Sequence, residues 1–105
     1  MIDIDKARQI VLRKIYEFEK ESGIKLALME NETIEFESGW LFFYQSEKFI
    51  KTQNEDYLIG GNAPIIVDRY NSSLHVTGTS KSDEFYINMY EKHRDDLQDF
   101  YNIIW

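Results

Sequence analysis

The sequence predicts an α+β domain in two layers: an N-terminal helix, an antiparallel sheet of four to five strands and a C-terminal helix. Three observations carry this expectation. Apolar residues recur every three or four positions at both ends of the chain, they alternate or cluster in short stretches in the middle, and turn-forming residues separate those stretches. A chain of 105 residues can build one core, so residues 1–105 are read as a single domain, with 93–105 as a helical extension.

The first helix is expected from Ile4 to Ser22, because Ala7, Val11, Ile15 and Phe18 fall at steps that share one helical face. Either Asp3 or Asp5 can cap its start and Gly23 can end it. The period then becomes two: Leu26 and Leu28 alternate with Ala27 and Met29, and Thr33–Glu37 sets Ile34 and Phe36 on one side with Glu35 and Glu37 toward water. Trp40–Tyr44 is apolar on both faces, as in a central strand. Residues 47–57 read as a polar loop. Gly60, Gly61, Asn62, Ala63 and Pro64 form a turn in which glycine permits positive φ and proline restricts its neighbour. Strands Ile65–Asp68 and Leu74–Thr77 then form a hairpin across residues 69–73. Ser80 or Ser82 can cap a last helix, along which Phe85, Met89, His93, Leu97, Phe100 and Ile104 form an apolar stripe.

Composition excludes several functions. Cysteine is absent, which removes disulfides and thiolate chemistry. The longest apolar run, Trp40–Tyr44, is far too short to span a membrane, and the first residues lack a signal-peptide pattern, so a cytoplasmic protein is expected. A net charge of −7 argues against nucleic acid as a partner. The acidity is concentrated: residues 26–47 hold five acids and no base, and residues 82–105 hold six acids and two bases. A basic protein would be steered toward either block.

No constellation points to catalysis. Glu35 and Glu37 would lie about 7 Å apart on one strand face, a glycosidase-like separation, but a solvated face is the simpler reading. His75 falls on the outward phase of its short strand, and Ser72, His75 and Asp68 form only a formal triad with no nucleophile elbow. Two histidines without cysteine make a poor metal set, so neither metal nor cofactor is expected. Gly60–Asn62 precedes a strand and no lysine follows, unlike a phosphate loop. Tyr70 sits in a loop, where tyrosine often supplies binding area. Ile103, Ile104 and Trp105 should either pack on the domain or form a homodimer contact through the C-terminal helix.

The string from Gly60 to Asp68, followed after a turn by His75-Val76-Thr77-Gly78-Thr79 and preceded by Ser38-Gly39-Trp40, resembles the signature of the Immunity protein 35 family, which includes small YrhB-like proteins. The resemblance covers residues 1 to about 92; the turn Tyr70–Leu74 and the extension from Arg94 depart from the usual pattern. It implies a bacterial, cytoplasmic, non-enzymatic protein that binds a cognate toxin and occludes its active or target-binding surface. The alternative it carries is a small stress-related chaperone. On this reading Glu30, Glu32, Glu35, Glu37, Tyr70 and His75 are candidate toxin contacts. Trp40, Gly60, Gly61, Asn62, Ala63, Pro64, Asp68 and Gly78 are structural, with Asn62 and Asp68 holding turns by hydrogen bonds.

Overall fold

The computed structural model describes residues Met1–Trp105. Helix α1 spans Ile4–Ser22. Asp3 is the cap, its carboxylate accepting from the Lys6 N–H at 2.9 Å, while Gly23 closes the helix at φ 74°. Ala7, Val11 and Ile15 are buried as their spacing predicts. The Glu19 carboxylate then accepts from the Leu26 N–H at 2.8 Å and ties the helix to the first strand.

Six antiparallel strands follow: β1 (Leu26–Leu28), β2 (Ile34–Phe36), β3 (Gly39–Phe42), β4 (Tyr44–Ser46), β5 (Ile65–Asp68) and β6 (Leu74–Val76). They form a four-stranded sheet in the order β2-β3-β5-β6 and a separate ribbon of β1 with β4. The predicted strand Trp40–Tyr44 therefore divides at Phe43, whose carbonyl accepts from the Met29 N–H at 2.8 Å, and one extended segment serves both sheets. In the main sheet Trp40 stands opposite Glu35 and Val67, and Gly39 stands opposite Asp68. A Cβ at Gly39 would run into the Val67 carbonyl, so glycine is required by the close approach of β3 and β5.

The α+β class and element order hold, but the layering differs from expectation. Trp40, Phe42, Ile65 and Val67 pack against α1 on one face of the main sheet. Leu41 and Ile66 face the other way, against Tyr86, Tyr90, Phe100 and Ile104. The sheet thus has helix on both faces, three layers instead of two, because β3 and β5 are apolar on both faces and each needs cover.

Two segments depart from their sequence reading. Residues 47–57 contain a short helix, α2 (Glu47–Thr52), and a 3₁₀ turn at Glu55–Tyr57. The Ser46 hydroxyl caps α2 by accepting from the Phe49 N–H at 3.0 Å, and Lys51 pairs with Glu47 one turn away at 2.7 Å. The C-terminal helix is two helices, α3 (Asp83–His93) and α4 (Leu97–Ile104), separated at Arg94–Asp96. Asp96 caps the second by accepting from the Asp99 N–H. On α3 the fully buried residues are Tyr86 and Tyr90, one position beyond the predicted Phe85–Met89 stripe, whereas Phe100 and Ile104 are buried on α4 as predicted. Trp105 is 73% exposed and does not pack on the domain.

Candidate functional site

Asp68 ends β5 on the face covered by α3 and α4, and it is completely buried. Its Oδ1 accepts from the Tyr70 N–H at 2.8 Å and the Asn71 N–H at 3.3 Å, which shapes the β5–β6 turn. Oδ2 accepts from the Tyr90 hydroxyl at 2.7 Å and from Arg94 Nη2 at 2.6 Å and Nε at 3.2 Å. Burial alone would raise this carboxyl, but the bonds from Tyr90, Arg94 and the Tyr70 N–H outweigh it and hold it below the ordinary carboxylate range. Burial, reinforced by the Asp68 carboxylate, pushes the Tyr90 phenol up, so it stays a hydrogen-bond donor.

His75 lies beside this network, only 4% exposed. Its expected outward position is thereby corrected: the outward face of β6 is outward only until α4 folds over it. Nδ1 contacts the Tyr101 hydroxyl at 2.6 Å, and Nε2 contacts Ser73 Oγ at 2.7 Å. Ser73 Oγ donates its proton to Asn71 Oδ1 at 2.6 Å. His75 Nε2–H therefore donates to Ser73, and Nδ1 accepts from Tyr101. This ordering leaves no activated hydroxyl. The formal triad is not assembled either, since Ser72 sits in the turn at φ 62° and His75 meets Ser73 and Tyr101.

A pH dependence follows from these two groups. Burial lowers the His75 pKa, and the Asp68 charge only partly opposes it. Below about pH 6.5 the unfolded chain takes up a proton that folded His75 resists, so its contribution is complete above that pH and is lost as pH falls through the folded value. Asp68, also depressed, adds a second loss once pH drops below about 4. Urea midpoints should be flat between about pH 7 and 9, decline below about 6.5 and fall further below about 4. The upper step should vanish in His75→Gln and persist in His93→Gln; a step that survives in His75→Gln would assign it elsewhere.

The acidic candidates do not form one surface. Glu35 accepts from Arg69 Nη2 at 2.8 Å, and the same nitrogen also donates to the Phe36 carbonyl at 2.7 Å. The guanidinium lies 4.7 Å from the Trp40 ring centroid, so Glu35 holds a cation over the core in addition to facing water. Glu37 lies beyond the end of β2, in the turn to β3, which removes the paired-carboxylate geometry of a strand face. Because the Arg69 N–H donates to the Ser38 carbonyl at 2.8 Å, this turn neighbours the Tyr70 turn. Tyr70 is 54% exposed and its ring lies 5.3 Å from the Arg94 guanidinium. Glu37 and Tyr70 thus share one end of the sheet. Glu30 and Glu32 stand in a 3₁₀ turn before the opposite end of β2, with Glu30 paired to Arg8 of α1 at 2.7 Å.

The glycine-containing turn has a structural geometry. Gly61 adopts φ 75°, Asn62 Nδ2 donates to the Tyr44 carbonyl at 2.6 Å, and the Pro64 carbonyl accepts from both the N–H and the hydroxyl of Thr77. Gly60 has ordinary φ and open space beside it, and Ala63 is half-buried. A Cβ at Gly78 would press on the Tyr86 hydroxyl at 2.7 Å. Sequence reasoning missed Arg69, Tyr90, Arg94 and Tyr101. The signal available was Asp68 itself, an acid ending an apolar strand, which calls for a cation or several donors nearby.

The family model described as Immunity protein 35 matches residues 4–92. Uncharacterized protein YrhB of Escherichia coli (strain K12) is 38% identical over 56 residues, or 53% of this chain; the match spans 60% of that relative's length. No solved structure matches. Arg94 and Tyr101, the outer partners of Asp68 and His75, lie past the residues that the family model covers.

Proposed function

Because the chain belongs to the Immunity protein 35 family, we propose that it is a bacterial immunity protein that binds the toxin domain of a polymorphic toxin system and neutralises it by covering the surface through which the toxin acts. Membership over residues 4–92 is the observation that carries this reading. It acts in the cytoplasm, where a toxin meets its targets, and makes or breaks no bond itself.

The surface chemistry supports such a role. Glu37 and Tyr70 are exposed on neighbouring turns at one end of the sheet, which offers a carboxylate and a rigid amphipathic ring. Both sit on turns that the core holds in place. Ser38 donates its N–H and hydroxyl to the Glu91 carboxylate at 2.9 and 2.7 Å, and Asp68 fixes the Tyr70 turn. A preorganised contact surface loses little freedom on binding. With a net charge of −7, the protein attracts a basic partner at long range.

Co-expression with a toxin domain encoded by a neighbouring gene tests the reading. Growth should be restored and the two chains should co-elute in a fixed ratio; a toxin that stays active with the immunity chain present and folded refutes it. Glu37→Lys should slow association with a basic toxin about three- to tenfold at low salt. The difference should disappear in about 1 M salt, where charges are screened within about 3 Å. Unchanged association at low salt removes Glu37 from the interface. Glu37 is preferred to Glu35 here because Glu35→Lys would set a second cation against Arg69.

A further inference from the structure

The cleft between the Glu30–Glu32 turn and α2 shares Leu28 with the edge of the core, but its other lining residues serve neither the core nor the Asp68 network. It is an open cleft of about 460 Å³, with half-buried Leu28, Met29, Phe49 and Ile50 as its apolar floor and exposed Asn31, Glu32 and Gln53 at its rim. Gln53 Nε2 is spent on the Phe49 and Ile50 carbonyls at 3.4 and 3.1 Å, which leaves its Oε1 as an acceptor. Glu30, also at the rim, is neutralised by Arg8. Glu32 takes part in no ion pair, and no lysine or arginine lines the cleft. The site is therefore apolar below and acceptor-rich above, with one free negative charge. By contrast, the cleft at Ile24, Tyr57 and Leu58 is lined by Lys25, Lys48 and Asp56, a net positive set that disfavours a cation.

We propose that this cleft receives an arginine side chain of the partner protein. The methylene stem and flat guanidinium face fit the Leu28, Phe49 and Ile50 floor, and the forked N–H groups fit several acceptors at the rim. A lysine would present only a point charge to the same rim. The proposal rests on the reading of the protein as a toxin binder and names one chemical feature of the toxin's contact surface.

Titration of the ¹⁵N-labelled protein with N-acetyl-arginine amide tests it without any toxin. Amides of residues 28–32 and 49–53 should shift saturably, and N-acetyl-citrulline amide, similar in shape but uncharged, should bind about tenfold more weakly. Glu32→Gln should bring arginine down to the citrulline level, while Asp56→Asn, outside the cleft, should leave it unchanged. Equal binding of both probes, shifts elsewhere, or equal weakening by Asp56→Asn overturns the proposal. In the toxin complex, Glu32→Gln should raise Kd about tenfold, and an unchanged Kd also overturns it. A null titration removes the cleft and leaves the immunity reading standing; a toxin that the wild-type protein fails to neutralise defeats that reading in its own assay.

Discussion

Replacing Asp68 by asparagine should lower the free energy of unfolding by about 3 kcal/mol, although the side chain keeps its size. The amide oxygen can still accept from the Tyr70 and Asn71 N–H groups, but the nitrogen then faces the Arg94 guanidinium, donor against donor, and the Tyr90 hydroxyl must turn round to accept from it. Flipping the amide moves the mismatch to the turn. Removing one member of a buried ion pair costs about 3–5 kcal/mol, and the low end applies because the Arg94 side chain, 26% exposed, can turn to water. Tyr90→Phe, which deletes a single bond, should cost about 1–2 kcal/mol. The two losses should not add, since both act on Oδ2. Urea denaturation at pH 7 measures both. A loss under about 1 kcal/mol for Asp68→Asn would mean that the network contributes little to holding β5 to α3.

Trp40→Ala should cost about 3–5 kcal/mol, a large share of the roughly 5–15 kcal/mol available to a small domain. Trp40 is 3% exposed and lies in the core formed by α1 and the sheet, with Arg69 stacked on its ring. Its Nε1–H has no acceptor, so truncation leaves no new polar group behind and the loss is one of packing and of the cation–ring contact. Trp40→Phe, which refills much of the volume, should recover more than half of the loss. Thermal melts decide the matter, and an alanine variant that melts like wild type would refute the core placement. Arg69→Ala in the same assay removes the ring contact together with the bonds to Glu35 and the Phe36 carbonyl, so its loss sets an upper bound on the stacking share, expected at about 0.5–2 kcal/mol.

The legibility of the structure differs by element for physical reasons. Helix α1 was readable to its end residues because its burial pattern, its aspartate cap and its glycine stop are all local. The strands of the main sheet were readable from short apolar runs between turn residues. Helix α2 left two local signals, Ser46 before it and the Glu47–Lys51 pair within it, but six residues are too few for periodicity to outweigh their polarity. The ion pairs of Glu30 with Arg8 and of Glu35 with Arg69 were not readable, because each arginine comes from a distant segment of the chain.

By itself, the sequence determined the α+β class, the order of the elements, the face that α1 buries and the membership of the family, since each depends on residue spacing or on a contiguous motif. Only the tertiary structure decided that the sheet is covered twice, that His75 points inward, and that Asp68 meets Arg94 across 26 positions of chain. The reason is the return of α3 and α4 over the sheet. The break at Arg94–Asp96 lets Phe100 and Ile104 close over the second face, and a strand's side chain is inside or outside according to what packs on it from elsewhere in the chain.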